Sequence, residues 1–392
     1  MFLQIHTLTS YHPTLLNRDD AGLAKRIPFG DKSRLRISSQ CLKRHWREAL
    51  GPTLDLPMGT RTRQFFRRIV LSELVKTGVD PALAESLVKA LVKRLIEGGA
   101  DEKDPLALKQ AILFGRPEAD FLVKLLAECA KEGDEAKALK KLEDRLKVDK
   151  KNFKAMLAAA GFGNLFAGVE GAMFGRFVTS DILARSDAAV HVEHAMTVHA
   201  LDTEVDFFTV VDDLNRDDET GAAHAGDMEL GSGVYYGYVV IDIPLLISNF
   251  TGCDPSKWEL QDTTEVLALL KAFVRTIATV SPGAKLGATA PYAYSDFVLL
   301  EASAQQPRSL ANSYLKALPS KGDVTQAAVD ALASHLKAID AMYGSTAECR
   351  ALATTKAWTA EVPKLVTGSL DDAVETALAH IFGGHAHGNS KA

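Results

Sequence analysis

The sequence predicts an α+β fold: a ferredoxin-like core of strands and helices with a large helical insertion and a protruding hairpin. Three observations predict it. Strand-like and helix-like stretches alternate as strand, helix, strand, strand, helix, strand at 2–9, 38–50, 173–179, 234–243, 263–280 and 297–302, which is the split βαβ order. From about Pro52 to Phe166 the composition turns helical. Between His194 and Ile243, two strand-like ends flank a polar excursion, the pattern of a hairpin with a loop at its tip.

The composition bounds the function classes. At 392 residues the chain has room for two domains, or for one with large insertions. Hydrophobic content of 47% and charged content of 24% fit a soluble globular protein. Cys41, Cys129, Cys253 and Cys349 are scattered, without metal-ligand spacing, so no disulfide framework and no zinc site is expected. The start, Met1-Phe2-Leu3-Gln4, is unlike a signal peptide, and no apolar run is long enough to span a bilayer. A cytoplasmic protein without cofactor or membrane partner is expected. The net charge of −5 argues against nucleic-acid binding by the whole surface. It permits a local basic groove on an acidic body.

Residues 2–9 read as a strand with Leu3, Ile5 and Thr7 on one face. His6 is expected at the strand surface. Pro13 and the segment Leu16-Asn17-Arg18-Asp19-Asp20 make a loop, with Asp19 and Asp20 fixing it and Arg18 pointing toward a phosphate. Basic residues crowd from 17 to 47: Arg18, Lys25, Arg26, Lys32, Arg34, Arg36, Lys43, Arg44 and Arg47. Arg34, Arg36 and Ser38 alternate with Leu35 and Ile37, the period of a half-buried strand. Ser38 or Ser39 then caps a helix to about Leu50. Its apolar face holds Leu42, Trp46, Ala49 and Leu50. Gln40, Lys43, Arg44 and Arg47, at i, i+3, i+4 and i+7, share the other. A helix start offers N–H groups to phosphate, and that basic stripe would extend the site along a row of phosphates.

Amphipathic runs follow at 61–77, 81–97, 105–114, 117–131 and 134–147, punctuated by Gly98-Gly99, Gly115-Arg116-Pro117 and Gly133. Arg61, Arg63, Arg67 and Arg68 form a second basic patch, either a salt-bridged helix face or a nucleic-acid contact. Residues 173–179 read as the next strand. His194 and His199 lie five apart near Asp202, Asp206, Asp212 and Asp213 but on different helical faces, and His385 and His387 belong to the tail, so no metal site is expected. The loop from Asn215 to Gly233 has the composition of a mobile segment, and 234–243 is the clearest strand. Thr264–Val280 is an amphipathic helix. The turn Ser281-Pro282-Gly283-Ala284-Lys285 places glycine beside lysine, which lets backbone and ammonium approach a phosphate. After the strand at 297–302 the remainder reads as helical, 309–318, 324–342 and 370–382, with a disordered tail.

Two of these motifs carry a resemblance. Leu16-Asn17-Arg18-Asp19-Asp20 followed by Arg34-Leu35-Arg36-Ile37-Ser38-Ser39-Gln40-Cys41-Leu42-Lys43-Arg44 resembles the backbone subunit of type I-E CRISPR Cascade, the CasC family. The segments around Gly175-Arg176-Phe177, from His194 to Leu214, and Pro282-Gly283-Ala284-Lys285 are similar to it as well. The resemblance implies an RNA-recognition-module-like palm (1–51, 171–194 and 234–302), helical fingers (52–170), a thumb (195–233) and C-terminal helices (303–382) before the tail (383–392). It implies RNA binding through Arg18, Lys25, Ser38, Gln40, Lys43, Arg44, Arg47 and Lys285, with Phe177 stacking on a base. Phe207, Phe208 and Thr209 match thumb positions that pack against the distorted strand, so both phenylalanines would need cover from a neighbour or from bases.

The function implied is non-catalytic. Copies would stack head to tail along the spacer of a crRNA and hold it open for pairing with a target DNA strand. Other Cascade subunits, and through them a helicase-nuclease, would be partners. The alternative is a metal-dependent endoribonuclease of the same superfamily, using Asp19, Asp20, Asp212 and Asp213.

Overall fold

A computed structural model describes residues 1–96, 100–148, 165–176, 186–210 and 224–383. The chain is mixed α and β and divides into two compact units. One comprises 1–54, 191–242 and 267–392; the other comprises 55–190 and 243–266. No helix among the described residues is long and apolar enough to cross a membrane.

The first unit is built on a large sheet. In chain order its strands are β1 (Phe2–Thr14), β2 (Arg26–Phe29), β3 (Lys32–Ile37), β6 (Val190–Val192, beginning at the boundary), β7 (Ala195–Thr197), β8 (Thr203–Val210), β9 (His224–Asp242), β10 (Ser295–Ser303), β11 (Cys349–Thr354) and β12 (Leu365–Thr367). The spatial order is β12-β11-β10-β1-β9-β7-β3-β2, with β6 and β8 also on β9. β1–β10, β1–β9, β10–β11, β2–β3, β3–β7, β7–β9 and β8–β9 are antiparallel, and β11–β12 is parallel. β1 lies centrally, with Ile5 opposite Leu300 of β10 and Val239 of β9.

β1 is buried from Leu3 to Thr9 because both faces of the sheet are covered. On one face lie α1 (Ser39–Leu50) and the following α-helix Thr264–Thr279. Trp46 of α1 meets Phe273 edge to face at 5.7 Å, and a small apolar cavity there is bounded by Thr7, Tyr11, Leu42, Trp46, Tyr235 and Ile277. On the other face Leu8, Tyr236, Phe297 and Leu352 pack with Leu332 and Leu336 of the helix Val324–Tyr343. His6 points this way, so it is a core residue and not the expected surface one. Its Nε2–H donates to Glu301 and its Nδ1 accepts from the Tyr236 hydroxyl.

Five of the six expected core elements occur. Of the expected third strand at 173–179, residues 173 and 174 are helical, and 177–179 lie outside the described residues. Gly168–Phe174 is a helix that ends at Gly175, whose positive φ and close approach to the Ser186 carbonyl leave no room for a side chain. Its place beside β9 is taken by β7. β9 begins ten residues before the expected strand, so 224–233, expected as loop, are strand. The expected helix at 309–318 is only a 3-10 turn, Ala311–Tyr314. β11 and β12 occupy stretches expected to be helical or irregular.

The second unit holds a two-stranded ribbon, β4 (Gly59–Thr62) with β5 (Ile112–Gly115), and the helices Ser72–Lys76, Pro81–Leu95, Arg116–Ala130 and Glu135–Val148. A π-helical turn, Phe66–Leu71, leads into the first of them. Phe65 stacks on Phe114 at 3.9 Å, among Leu87, Leu91, Leu122 and Leu126. The expected helix at 105–114 is absent because its backbone is engaged elsewhere: Leu108 N–H donates to the Arg63 carbonyl, and 112–115 pair with β4. Of the second basic patch, Arg63 pairs with Asp101 and Arg67 with Asp104.

Candidate nucleic-acid interface

The site grows from the junction of β3 and α1. Ser38 caps α1, its hydroxyl accepting the Cys41 N–H at 3.3 Å. The Ser38 N–H donates to Asn17 Oδ1 at 3.0 Å, which ties the Leu16–Asp20 loop to the helix start. The Asn17 carbonyl accepts the Lys25 N–H, and the Lys25 carbonyl accepts the Arg36 N–H. Asp19 Oδ1 accepts the N–H groups of Ala21 and Leu23, so this carboxylate fixes the loop. The loop's other end is clamped by Glu229, which accepts the Ala24 N–H at 2.7 Å and the Arg26 guanidinium at 2.6 Å. Arg18 stays exposed on this braced loop, and Lys25 is half-buried.

The helix start is more occupied than the sequence suggested. The Ser39 N–H donates to His194 Nδ1 at 2.9 Å, and the Leu42 N–H to the Ser38 carbonyl. Ser38 is buried with both its N–H and its hydroxyl engaged. His194 must be neutral to accept, with its proton on Nε2. Burial, then the charges of Arg36 and Lys25, hold its pKa below the ordinary histidine value and favour that form. Sequence reasoning weighed His194 only as a metal ligand and missed Glu229 altogether. Each partners a residue far away in sequence, which no local spacing signals.

Along α1, Gln40 and Arg44 are exposed, while Lys43 and Arg47 are half-buried. Burial holds the Lys43 ammonium below the usual lysine range. Arg44 is bonded to Glu48 at 2.9 Å, one helical turn on. Arg34 does not join this stripe. It is fully buried, its guanidinium donating to the carbonyls of Thr197 and Tyr314, because the sheet continues past β3 on both sides.

The turn after the helix Thr264–Thr279 reaches the same edge. The Ala284 N–H donates to the Leu15 carbonyl at 2.9 Å, which sets Lys285 beside the Asn17 loop. Lys285 itself is left-handed, with φ of 52°, a conformation a side chain adopts only when its surroundings impose it. Its ammonium lies 4.9 Å from the centre of the Phe208 ring on β8. Thus Arg18, Lys25, Gln40, Lys43, Arg44, Lys285 and Phe208 belong to segments joined by hydrogen bonds within one unit.

β8 and the first half of β9 form a hairpin, with Phe208 opposite Gly226 and Thr203 opposite Gly231. Val205 and Phe207 alternate onto one exposed face, Phe207 being 67% exposed, and Thr209 is exposed too. Phe208 faces the other way and is half-buried. Its ring lies across Gly226, where a Cβ would come within 2.7 Å of it. Phe208 is therefore covered by its own chain, contrary to expectation, and Phe207 is not. Phe177, Asp212 and Asp213 lie outside the described residues. Among the described residues, no group of three or more His, Cys, Asp and Glu side chains converges as a metal site would require.

Comparison with known proteins agrees in one direction. The family model described as CT1975-like protein matches residues 3–376. No match is found among curated proteins. A solved chain titled "CRISPR RNA-guided surveillance complex, pre-nicking" has a TM-score of 0.77 and 26% identity, over 96% of this chain and all of that one. Another, titled "CRISPR RNA-guided surveillance complex", has a TM-score of 0.70 and 20% identity, over 97% of this chain and all of that one. At the latter identity the likeness is one of fold.

Proposed function

The chain belongs to the CT1975-like protein family, and from that premise we propose that it is a non-catalytic, guide-RNA-binding subunit of a CRISPR RNA-guided surveillance complex of the Cascade type. The observation that carries the reading is the convergence at one edge of the sheet. The Asn17 loop, the start of α1 and the Lys285 turn are bonded together there and present cations of three separate segments. The likeness to a surveillance-complex chain over 96% of this one supports it.

In this reading β10-β1-β9-β7, with α1 and the helix Thr264–Thr279 on one face, is a ferredoxin-like palm. The β8–β9 hairpin is the thumb, and the second unit supplies the fingers. Arg18, Lys25, Gln40, Lys43, Arg44 and Lys285 grip phosphates, and Phe207 packs against bases. Binding by phosphate contact and stacking is indifferent to sequence, as a subunit that must accept any guide requires. Copies stack head to tail along the crRNA and present it to a target DNA strand, in company with other subunits of the complex.

Titration with single-stranded RNA at several salt concentrations tests the reading. Arg18→Ala with Lys25→Ala should weaken binding alike for RNAs of unrelated sequence and lower the salt slope by about 0.7 for each phosphate no longer neutralised. An unchanged slope, or a weakening confined to one sequence, would contradict it.

A further inference from the structure

Tyr292 and Tyr294 are 69% and 74% exposed on the segment that carries Lys285. Among the described residues neither ring nor hydroxyl has a partner. Two large aromatic side chains held in water side by side leave favourable burial unused. The intervening Ala293 and the following Ser295 are half-buried, so exposure alternates, and the two rings share the outer side of the segment.

The frame beneath them is hydrogen-bonded and closely packed. Ser281 Oγ accepts the Ala293 N–H at 2.9 Å and donates to the Ala293 carbonyl at 3.0 Å, closing the loop. His12 Nε2–H donates to the Thr289 carbonyl at 2.7 Å, and the Tyr292 N–H to the Ala290 carbonyl at 2.7 Å. Pro291 packs against Gly283 so closely that a Cβ there would come within 2.4 Å of it. Lys285 is the one charged residue between Ser281 and Ser295. The next acid, Asp296, is engaged by Thr355. A cation and two exposed rings on a braced, acid-free loop match the chemistry of a single strand, with phosphate for the ammonium and unstacked bases for the rings.

We propose that Tyr292 and Tyr294 form a stacking platform for unpaired bases of the bound single-stranded RNA, continuous with the phosphate-gripping edge through Lys285. The proposal rests on the RNA-binding reading above and adds two residues to it. Stacking tolerates any base, so it fits a guide of arbitrary sequence.

The test uses the full chain and a fluorescently labelled single-stranded RNA of mixed sequence, with a matched strand carrying abasic riboses. Tyr292→Ala with Tyr294→Ala should weaken binding of the intact RNA by about 5- to 150-fold for each ring engaged, with the salt slope unchanged. Tyr292→Phe with Tyr294→Phe should bind as the parent does, and the abasic strand should bind parent and alanine variant equally. If the parent binds RNA and the alanine variant binds it as tightly, the platform is refuted while the function stands. The same holds if the variant binds short RNA normally but no longer assembles several copies on a long one, since the surface is then an interface with a second copy. A parent that binds no RNA overturns the functional reading, and the platform falls with it.

Discussion

The Lys285 ammonium lies 4.9 Å from the centre of the Phe208 ring, joining the turn after a core helix to a strand of the hairpin. Each residue is tied down by its own surroundings: Lys285 by a left-handed backbone, Phe208 by the glycine beneath its ring. The hairpin is thereby anchored to the edge that carries the basic residues.

The two adjacent phenylalanines should therefore behave differently. Phe208→Ala should cost about 1–2 kcal/mol of folding stability, from reduced burial and removal of the cation–ring interaction. Phe207→Ala should stay within about 0.5 kcal/mol of the parent, as exposed substitutions do. It should nonetheless weaken assembly on RNA. Thermal melts of the RNA-free variants separate the two, and a larger destabilisation for Phe207 would refute the assignment of faces.

Arg44 is held by Glu48 at 2.9 Å. Glu48→Ala should release it and remove a negative charge from the basic stripe of α1 and, on the proposed role, raise affinity for single-stranded RNA a few-fold and steepen the salt dependence. Arg44→Ala should lower the slope by about 0.7. Equal affinity in the Glu48→Ala variant at low salt would show that Arg44 faces no phosphate.

Acid should destabilise the chain in two stages. Burial, opposed by Glu301, holds the His6 pKa below 6.5, so the unfolded chain binds a proton there that the folded chain refuses. That stability is full above the unfolded value and is lost as pH falls below it. His194 and His335 shift in the same direction. Burial would raise Glu301, but hydrogen bonds from His6 and Arg308 and the nearby positive charge hold its carboxyl well below 4.5. Its contribution is present above that value and lost as pH falls beneath it. Urea unfolding at a series of pH values checks both stages, and His6→Gln should flatten part of the upper one. Glu301→Gln should cost about 3–5 kcal/mol at neutral pH, since it leaves Arg350 buried against one fewer carboxylate.

The elements legible in the sequence were those whose signal is local. Helix α1 announces itself through the Ser38 cap and the spacing of Leu42, Trp46 and Leu50, and β1 through its apolar run. His6 and Arg34 were misplaced because alternation gives the face of a strand and not what covers it. Here both faces of the sheet are packed, and each polar side chain finds partners hundreds of positions away. The segment 105–114 reads as a helix by composition, yet a tertiary pairing with β4 claims its end. β11 is short and edged by loops, and it is pairing with β10 and β12 that makes it a strand. Of the site, the basic residues were visible as a cluster. That Ser38, Ser39 and Leu42 already have their N–H groups satisfied was not, because one acceptor, His194, comes from a distant strand connection.

In its proposed role the chain coats single-stranded RNA in multiple copies without cutting it. The direct test incubates the purified chain with magnesium and single-stranded RNAs of graded length, then measures the mass of each complex and the integrity of the RNA. Intact RNA is expected, with a number of bound copies that rises in step with its length. One copy at every length, or RNA cleaved in the presence of magnesium, would contradict that role.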